Sequence, residues 1–179
     1  MGMEYTLAKK ITSLLTPDLC PDLRVFKQYQ KRLQESPFTR DTNAQSHFTA
    51  YFLPFDIKTK KVLLGFHKKA QTWLAPGGHI DEGETLLGTL NREIEEELGA
   101  GNHFTGLPQP FLFTITPINN AVQPCKEHFD IWFLMPLDDI GIIHNSDEFS
   151  EMKWADPRDD NAFITNPANR AALEIIAKM

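Results

Sequence analysis

The sequence predicts an α/β fold, a mixed β-sheet packed against helices and preceded by a helical extension. Two observations carry this expectation. Aromatic and aliphatic runs of strand length at 47–55, 62–66, 111–118 and 128–135 surround one strongly amphipathic helical stretch at 85–98, and a further helical stretch closes the chain at 166–179. The chain has 179 residues and 41% hydrophobic content, enough for one core with a small appendage.

Residues 1–45 read as the extension and its linker, and 46–179 as the main domain. Tyr5, Ala8, Ile11, Leu14 and Leu15 recur at helical spacing until Thr16-Pro17-Asp18 interrupts them. A second helix is expected from Pro21-Asp22, with Leu23, Phe26, Tyr29 and Leu33 on one stripe. Such a pair would pack on the main domain; a lid or a homodimer contact is its other use. Ser36–Ser46 is polar, with Pro37 and Asn43, and reads as a linker. His47–Phe55 and Val62–Phe66, separated by a polar turn at Asp56–Lys61, suggest a hairpin. Trp73-Leu74-Ala75 is a short apolar piece ending at Pro76-Gly77-Gly78. Gly141–Ile143 and Glu151–Ala155 are candidate short strands. The final helix carries Ala171, Leu173, Ile175 and Ile176.

Charge and cysteine content narrow the function. A net charge of -6 argues against broad binding to a nucleic acid polymer, which needs a basic surface. It leaves room for a small phosphate ligand, because a bound divalent ion reverses the local field. Cys20 and Cys125 are far apart and lack CxxC spacing; a disulfide or metal pair is one reading, and free thiols of a reducing compartment are the expectation. The N-terminus has no signal-peptide pattern and no apolar run approaches the ~18 residues of a spanning helix. A cytoplasmic protein without membrane partners is the expectation.

The chemistry concentrates in residues 84–99. With ~100° per residue, Glu93, Glu97 and Glu96 share an arc of ~100°, beside an apolar arc of Leu90, Ile94, Leu87 and Leu98. Like charges so placed repel one another. A solvated face would tolerate them; a hard divalent cation such as Mg²⁺ or Mn²⁺, which favours carboxylate oxygens, would exploit them. Upstream, Gly77-Gly78 permits a close backbone approach. Arg92 can fork onto a neighbouring carboxylate and fix its orientation.

Gly78, Glu84, Arg92, Glu93, Ile94, Glu96, Glu97, Gly99 and Ala100 together resemble the Nudix box: Gly, five residues, Glu, seven residues, Arg-Glu, an apolar residue, any residue, Glu-Glu, any residue, Gly and an apolar residue. Only Ala100 departs, being smaller than the usual aliphatic. The segments HFTA at 47–50, VLLGFHKK at 62–69, WLAPGGH at 73–79 and HFDIWFL at 128–134, with Glu151 and Trp154, resemble the MutT-like branch. The similarity covers about residues 46–156.

The resemblance implies an α/β/α sandwich and a metal-dependent hydrolase in which water attacks phosphorus of a nucleoside triphosphate or a nucleoside diphosphate-linked substrate. Glu93, Glu96, Glu97 and the Gly77 carbonyl are the implied Mg²⁺ or Mn²⁺ ligands, supported by Glu84 and Arg92. A bound ion would neutralise phosphate charge and acidify water. The base is open among Glu96, Glu97, Glu148 and Glu151. His79, His67, Trp73, His128 and Asp130 are candidate substrate contacts, the last two sharing a strand face with Trp132. Retention of all box acids implies an enzyme rather than a non-catalytic nucleotide sensor. An isopentenyl diphosphate isomerase would need a different cysteine and acid set. The tyrosine that accompanies dinucleoside polyphosphate hydrolysis in the Nudix family has no counterpart here, since none follows Tyr51, and Pro117 lies near but out of register with an ADP-ribose marker.

Overall fold

The computed structural model describes residues 2–101, 103–118, 124–137, 147–159 and 163–179. The chain runs α1 (Gly2–Leu14), a 3₁₀ turn (Pro17–Leu19), α2 (Leu23–Arg32), β1 (Ser46–Asp56), β2 (Val62–His67), β3 (Thr72–Leu74), β4 (Gly77–His79), α3 (Leu86–Leu98), β5 (Pro110–Pro117), β6 (Glu127–Leu137), β7 (Phe149–Ala155) and α4 (Pro167–Ile176). The candidate strand at Gly141–Ile143 lies outside the described residues.

One mixed sheet has the order β3-β2-β1-β6-β5, with β4 added to β1 and β7 to β2. Its spine is the parallel pair β1–β6, in register from Ser46↔Glu127 to Asp56↔Leu137. Parallel central strands are covered on both faces, which accounts for their nearly continuous apolar sequence. Phe48, Ala50 and Phe52 point to a core shared with α1, α2 and α3; Leu53 and Phe55 point to a second core under α4. The layers are helix, sheet, helix.

The expected hairpin forms only at its turn. β1 meets β2 at Phe55↔Val62 and then separates, β2 pairing with β3 and β7. The edge of β1 thus vacated is taken by β4, Thr49↔His79 to Tyr51↔Gly77. The glycine segment is therefore held in the sheet.

Both extension helices form, but with rotated faces. In α1 the buried stripe is Leu7, Ile11 and Leu14, whereas Tyr5 is 68% exposed. In α2 it is Val25, Tyr29 and Arg32, whereas Leu23 is 62% exposed. Tyr5 and Leu23 each sit two residues, ~200°, from the first stripe residue of their helix. Tyr29, fully buried, donates from its hydroxyl to the Thr114 carbonyl on β5 at 3.0 Å and the Asp130 carbonyl on β6 at 2.6 Å. The linker is pinned as well. The Arg32 guanidinium donates to the carbonyls of Glu35, Pro37 and Ser46, and Phe38 is buried against Phe48. Extension and sheet share one core.

Candidate active site

The box helix α3 begins and ends on local chemistry. Thr85 caps it, its hydroxyl accepting from the Gly88 amide at 3.1 Å. Gly99 stops it with a φ of 66°, a left-handed value that favours glycine. Leu86, Leu90, Ile94 and Leu98 are buried in the core; Leu86 takes the place expected for Leu87, which is only partly buried. Because the acidic arc adjoins this stripe, docking the helix also carries Glu93 and Glu97 inward, to 8% and 3% exposure. Glu96, on the far side of the arc, keeps a largely exposed side chain.

The helix rests its acids on β4. The Gly77 amide donates to Glu97 Oε2 at 2.7 Å. Gly77 has a φ of 131°, and a Cβ there would lie 2.4 Å from the Ala50 carbonyl oxygen. A Cβ on Gly78 would lie 2.3 Å from Glu93 Oε1. The glycine pair is thus the condition for two carboxylates to reach the strand backbone.

Arg92 organises the rest. Its Nε and Nη2 fork onto Glu84 at 2.7 and 3.0 Å, Nη1 donates to Glu93 at 2.8 Å and Glu96 at 3.2 Å, and Nη2 also reaches the His79 carbonyl at 3.0 Å. Glu84 further accepts from the Thr89 hydroxyl and the Asp81 amide. Burial pushes the Glu84 carboxyl up, but Arg92, Thr89 and the amide outweigh it and hold it below the usual range. The opposite balance rules deeper in. Burial, with the charges of Glu96 and Glu148, pushes Glu93 up to about 7 despite Arg92. Burial and the Glu93 charge also raise Glu97 well above the usual carboxylate range. Negative charge is therefore costly between these acids until something cationic joins them.

Of the two later acids, the structure brings Glu148 to this group: its charge acts on both Glu93 and Glu97. His67 Nε2 stands 3.5 Å from Glu148 Oε2, while His67 Nδ1 accepts from the Lys69 amide at 3.1 Å. That contact keeps the Glu148 carboxyl below its usual range. Glu151 is exposed on β7, opposite Phe66 in the ladder.

The remaining expected substrate contacts lie elsewhere. Trp73 packs edge-on against Phe66 and Phe163. Asp130 is fully buried and accepts from the hydroxyls of Thr49, Thr114 and Thr116, and Trp132 is buried against Tyr51. Asp130 is thus a satisfied core group and no pocket hook, because threonines of the flanking strands β1 and β5 take up its oxygens, and Trp132 on the same face packs into the core under α4. Burial raises its carboxyl to about 6. His79 and His128 meet each other, Nε2 to Nε2 at 3.3 Å, and join His47 and Cys125, neither of which the sequence marks as a site residue. Burial lowers both rings, His79 to about 3 and His128 to about 4. The signal lay in strand register: His47 faces His128 across β1–β6, and Cys125 precedes His128 by three residues.

Comparison with known proteins fits this geometry. Residues 45–174 match the NUDIX domain family. The chain is 30% identical over 129 residues to Nudix hydrolase 7 of Arabidopsis thaliana, an alignment covering 68% of this chain and 43% of that protein. The chain thus spans less than half the length of that relative. It is 29% identical over 133 residues to an RNA pyrophosphohydrolase of Ruthia magnifica, covering 66% of this chain and 74% of the relative. Its fold is similar to that of the E. coli dihydroneopterin triphosphate pyrophosphohydrolase, with a TM-score of 0.57, 18% identity, and coverage of 80% and 99% of the two chains. A family match over most of the chain, joined to an intact Gly78–Gly99 motif folded as a strand-supported acidic helix, places this chain in the Nudix family.

Proposed function

We propose that this chain is a divalent-metal-dependent hydrolase of a phosphoanhydride bond in a nucleoside triphosphate or a nucleoside diphosphate-linked compound. The observation that carries the reading is the gathering of Glu93 and Glu97, both buried, against Gly77-Gly78, with Arg92 tying Glu84, Glu93 and Glu96 together. Buried carboxylates with a single cationic neighbour are a poor way to stabilise a fold. They suit a site made of hard oxygen donors, and Mg²⁺ or Mn²⁺ fits that set.

Glu93, Glu96, Glu97 and the Gly77 carbonyl would hold the ion. When bound, it would supply charge neutralisation on the phosphate oxygens and a more acidic water. The other roles belong to the chain. Arg92 keeps Glu93 and Glu96 in fixed directions, and Glu84 keeps Arg92. Glu148, ionised near neutral pH and backed by His67, takes the proton from the attacking water; it is the acid outside the helix whose charge reaches Glu93 and Glu97. The leaving group is phosphate, pyrophosphate or a nucleotide.

The test is release of phosphate, pyrophosphate or nucleotide from a panel of nucleoside triphosphates, ADP-sugars, dinucleoside polyphosphates and 5′-triphosphorylated RNA, with Mg²⁺ or with chelator. Glu97→Gln, which can still accept from the Gly77 amide, should lose at least about 100-fold in turnover. Glu148→Gln should lower kcat by about 10²–10⁴-fold with little change in KM, while Glu151→Gln stays near wild type. Tight nucleotide binding by the wild type without turnover on any of these would replace the hydrolase by a sensor.

A further inference from the structure

At the N-terminal ends of β1 and β6, apart from the acids of α3, three heteroatoms suited to softer metals converge. His47 is the second residue of β1, His128 sits opposite it on β6, and Cys125 approaches from the segment before β6. Their ligand atoms all lie within 4.8 Å of one another, with His47 and Cys125 buried and His128 half-buried. We propose that His47 Nε2, Cys125 Sγ and His128 Nε2 form a binding site for a thiophilic divalent cation of the Zn²⁺ class, separate from the carboxylate cluster.

Proton counting carries the argument. His47 Nδ1 lies 2.9 Å from the Asn43 carbonyl, which can only accept; the ring proton is therefore on Nδ1 and Nε2 presents a lone pair. Arg40 Nη1, which can only donate, stands 3.4 Å from His79 Nδ1. His79 then carries its proton on Nε2 and donates it to His128 Nε2, 3.3 Å away. His128 Nε2 is thus an acceptor too. Cys125 Sγ lies 3.6 Å from His47 Nε2 and 2.8 Å from His128 Nε2. Its single S–H proton can serve one of these contacts. The other sets two lone pairs face to face, an arrangement that one cation relieves at both.

The spacing agrees. Bonds of ~2.1 Å to nitrogen and ~2.3 Å to sulfur at tetrahedral angles place ligand atoms ~3.3–3.6 Å apart. The Cys125–His47 separation of 3.6 Å falls on that edge, and the 2.8 Å contact needs only a small opening. Nitrogen and sulfur donors select Zn²⁺ or its softer neighbours over Mg²⁺. The Asn43 carbonyl holds His47 from behind, the usual support for a liganding imidazole. Burial lowers His47 and His128, so both rings are neutral and able to bind near pH 7. On binding, the Cys125 thiol loses its proton to solvent: one cation is taken up and one proton released. The cation takes the His128 Nε2 lone pair in place of the His79 Nε2–H, and His79 then borders the fourth position, open to water, as a donor to it. Such a site would fasten β6 to β1 beside β4, the strand on which the α3 acids rest.

The experiment uses the intact protein, stripped with chelator under reducing conditions and free of nucleotide, titrated with Co²⁺ and then Zn²⁺. One equivalent of Co²⁺ should bring a near-ultraviolet sulfur-to-metal charge-transfer band and strong visible absorption, both erased by Zn²⁺. Glu97→Gln should keep the band and Cys125→Ser lose it. Zn²⁺ should raise the Tm of the wild type and leave that of Cys125→Ser unchanged. Lack of the band in folded wild type, or its persistence in Cys125→Ser, overturns the proposal. If Cys125→Ser does not fold, X-ray absorption on the Zn²⁺-loaded wild type decides: a first shell without sulfur refutes it, and one sulfur with at least two imidazole nitrogens supports it.

Discussion

Replacing Arg92 by lysine keeps the charge and destroys the fork. The guanidinium makes five contacts: two to Glu84, one each to Glu93 and Glu96, and one to the His79 carbonyl. An ammonium has three donors and no planar geometry with which to bridge Glu84 and Glu93 at once. At least two charge-assisted bonds go, each worth about 1.5–3 kcal/mol when buried. The Arg92 side chain is 27% exposed and water replaces part of the loss. We expect a net destabilisation of about 2–3 kcal/mol, or about 4–12 °C in Tm for a chain of this size. Turnover should fall about 10–100-fold through loss of carboxylate orientation, with a matching rise in the Mg²⁺ needed for half-maximal rate. Calorimetry and initial rates over a Mg²⁺ series measure both. A double-mutant cycle with Glu84→Gln isolates the fork, and the two changes should be non-additive by at least about 1 kcal/mol. Lysine-variant protein with wild-type Tm and wild-type Mg²⁺ dependence would refute the view that Arg92 holds the acids in place.

Tyr29→Phe removes one buried hydroxyl that joins α2 to the carbonyls of Thr114 and Asp130. Chemical denaturation should report a loss of about 1–3 kcal/mol with the turnover of folded enzyme unchanged, since the hydroxyl bonds backbone carbonyls of β5 and β6 and none of the α3 acids. Asp130→Asn tests burial of a carboxyl whose folded-state value is raised to about 6. A raised carboxyl binds its proton more tightly in the folded chain, so its contribution is full below about pH 4 and lost as pH climbs to about 6. The stability of Asp130→Asn minus wild type should therefore rise by up to about 3 kcal/mol across that window and level off above it. Urea melts at pH 4, 5, 6 and 7 measure the difference, in which the other carboxyls cancel; a flat difference would contradict the burial argument.

The features legible in the sequence were those set by neighbours along the chain. The box acids, Arg92 and the glycine pair lie within 21 residues, and helical periodicity alone puts Glu93, Glu96 and Glu97 on one arc. Even here periodicity stopped short. It gave Glu93, Glu96 and Glu97 equal standing, whereas docking buries two and leaves Glu96 in solvent, because only the side of the arc nearest the leucine stripe follows it inward. The extension helices were also placed, but Leu7 and Val25, which set their buried faces, were not, since a short helix with scattered apolar residues allows several stripes.

Long-range register was out of reach, and it decides what the histidines do. The sequence places His79 beside the glycine pair and His128 on an alternating strand, which suggests substrate contacts for both. The parallel pairing of β1 with β6 sets His47 opposite His128, and the antiparallel addition of β4 sets Thr49 opposite His79, so rings from three strands come together at one end of the sheet. A slip of one residue in β6 would turn His128 to the opposite face and carry Asp130 away from Thr49 and Thr114. Those two threonine contacts, with Trp132 donating to Thr114 at 2.8 Å, therefore hold the register that assembles the histidines and Cys125. Asp130 is best understood in that role: its burial costs stability near neutral pH, and what it secures is the alignment of β1, β5 and β6.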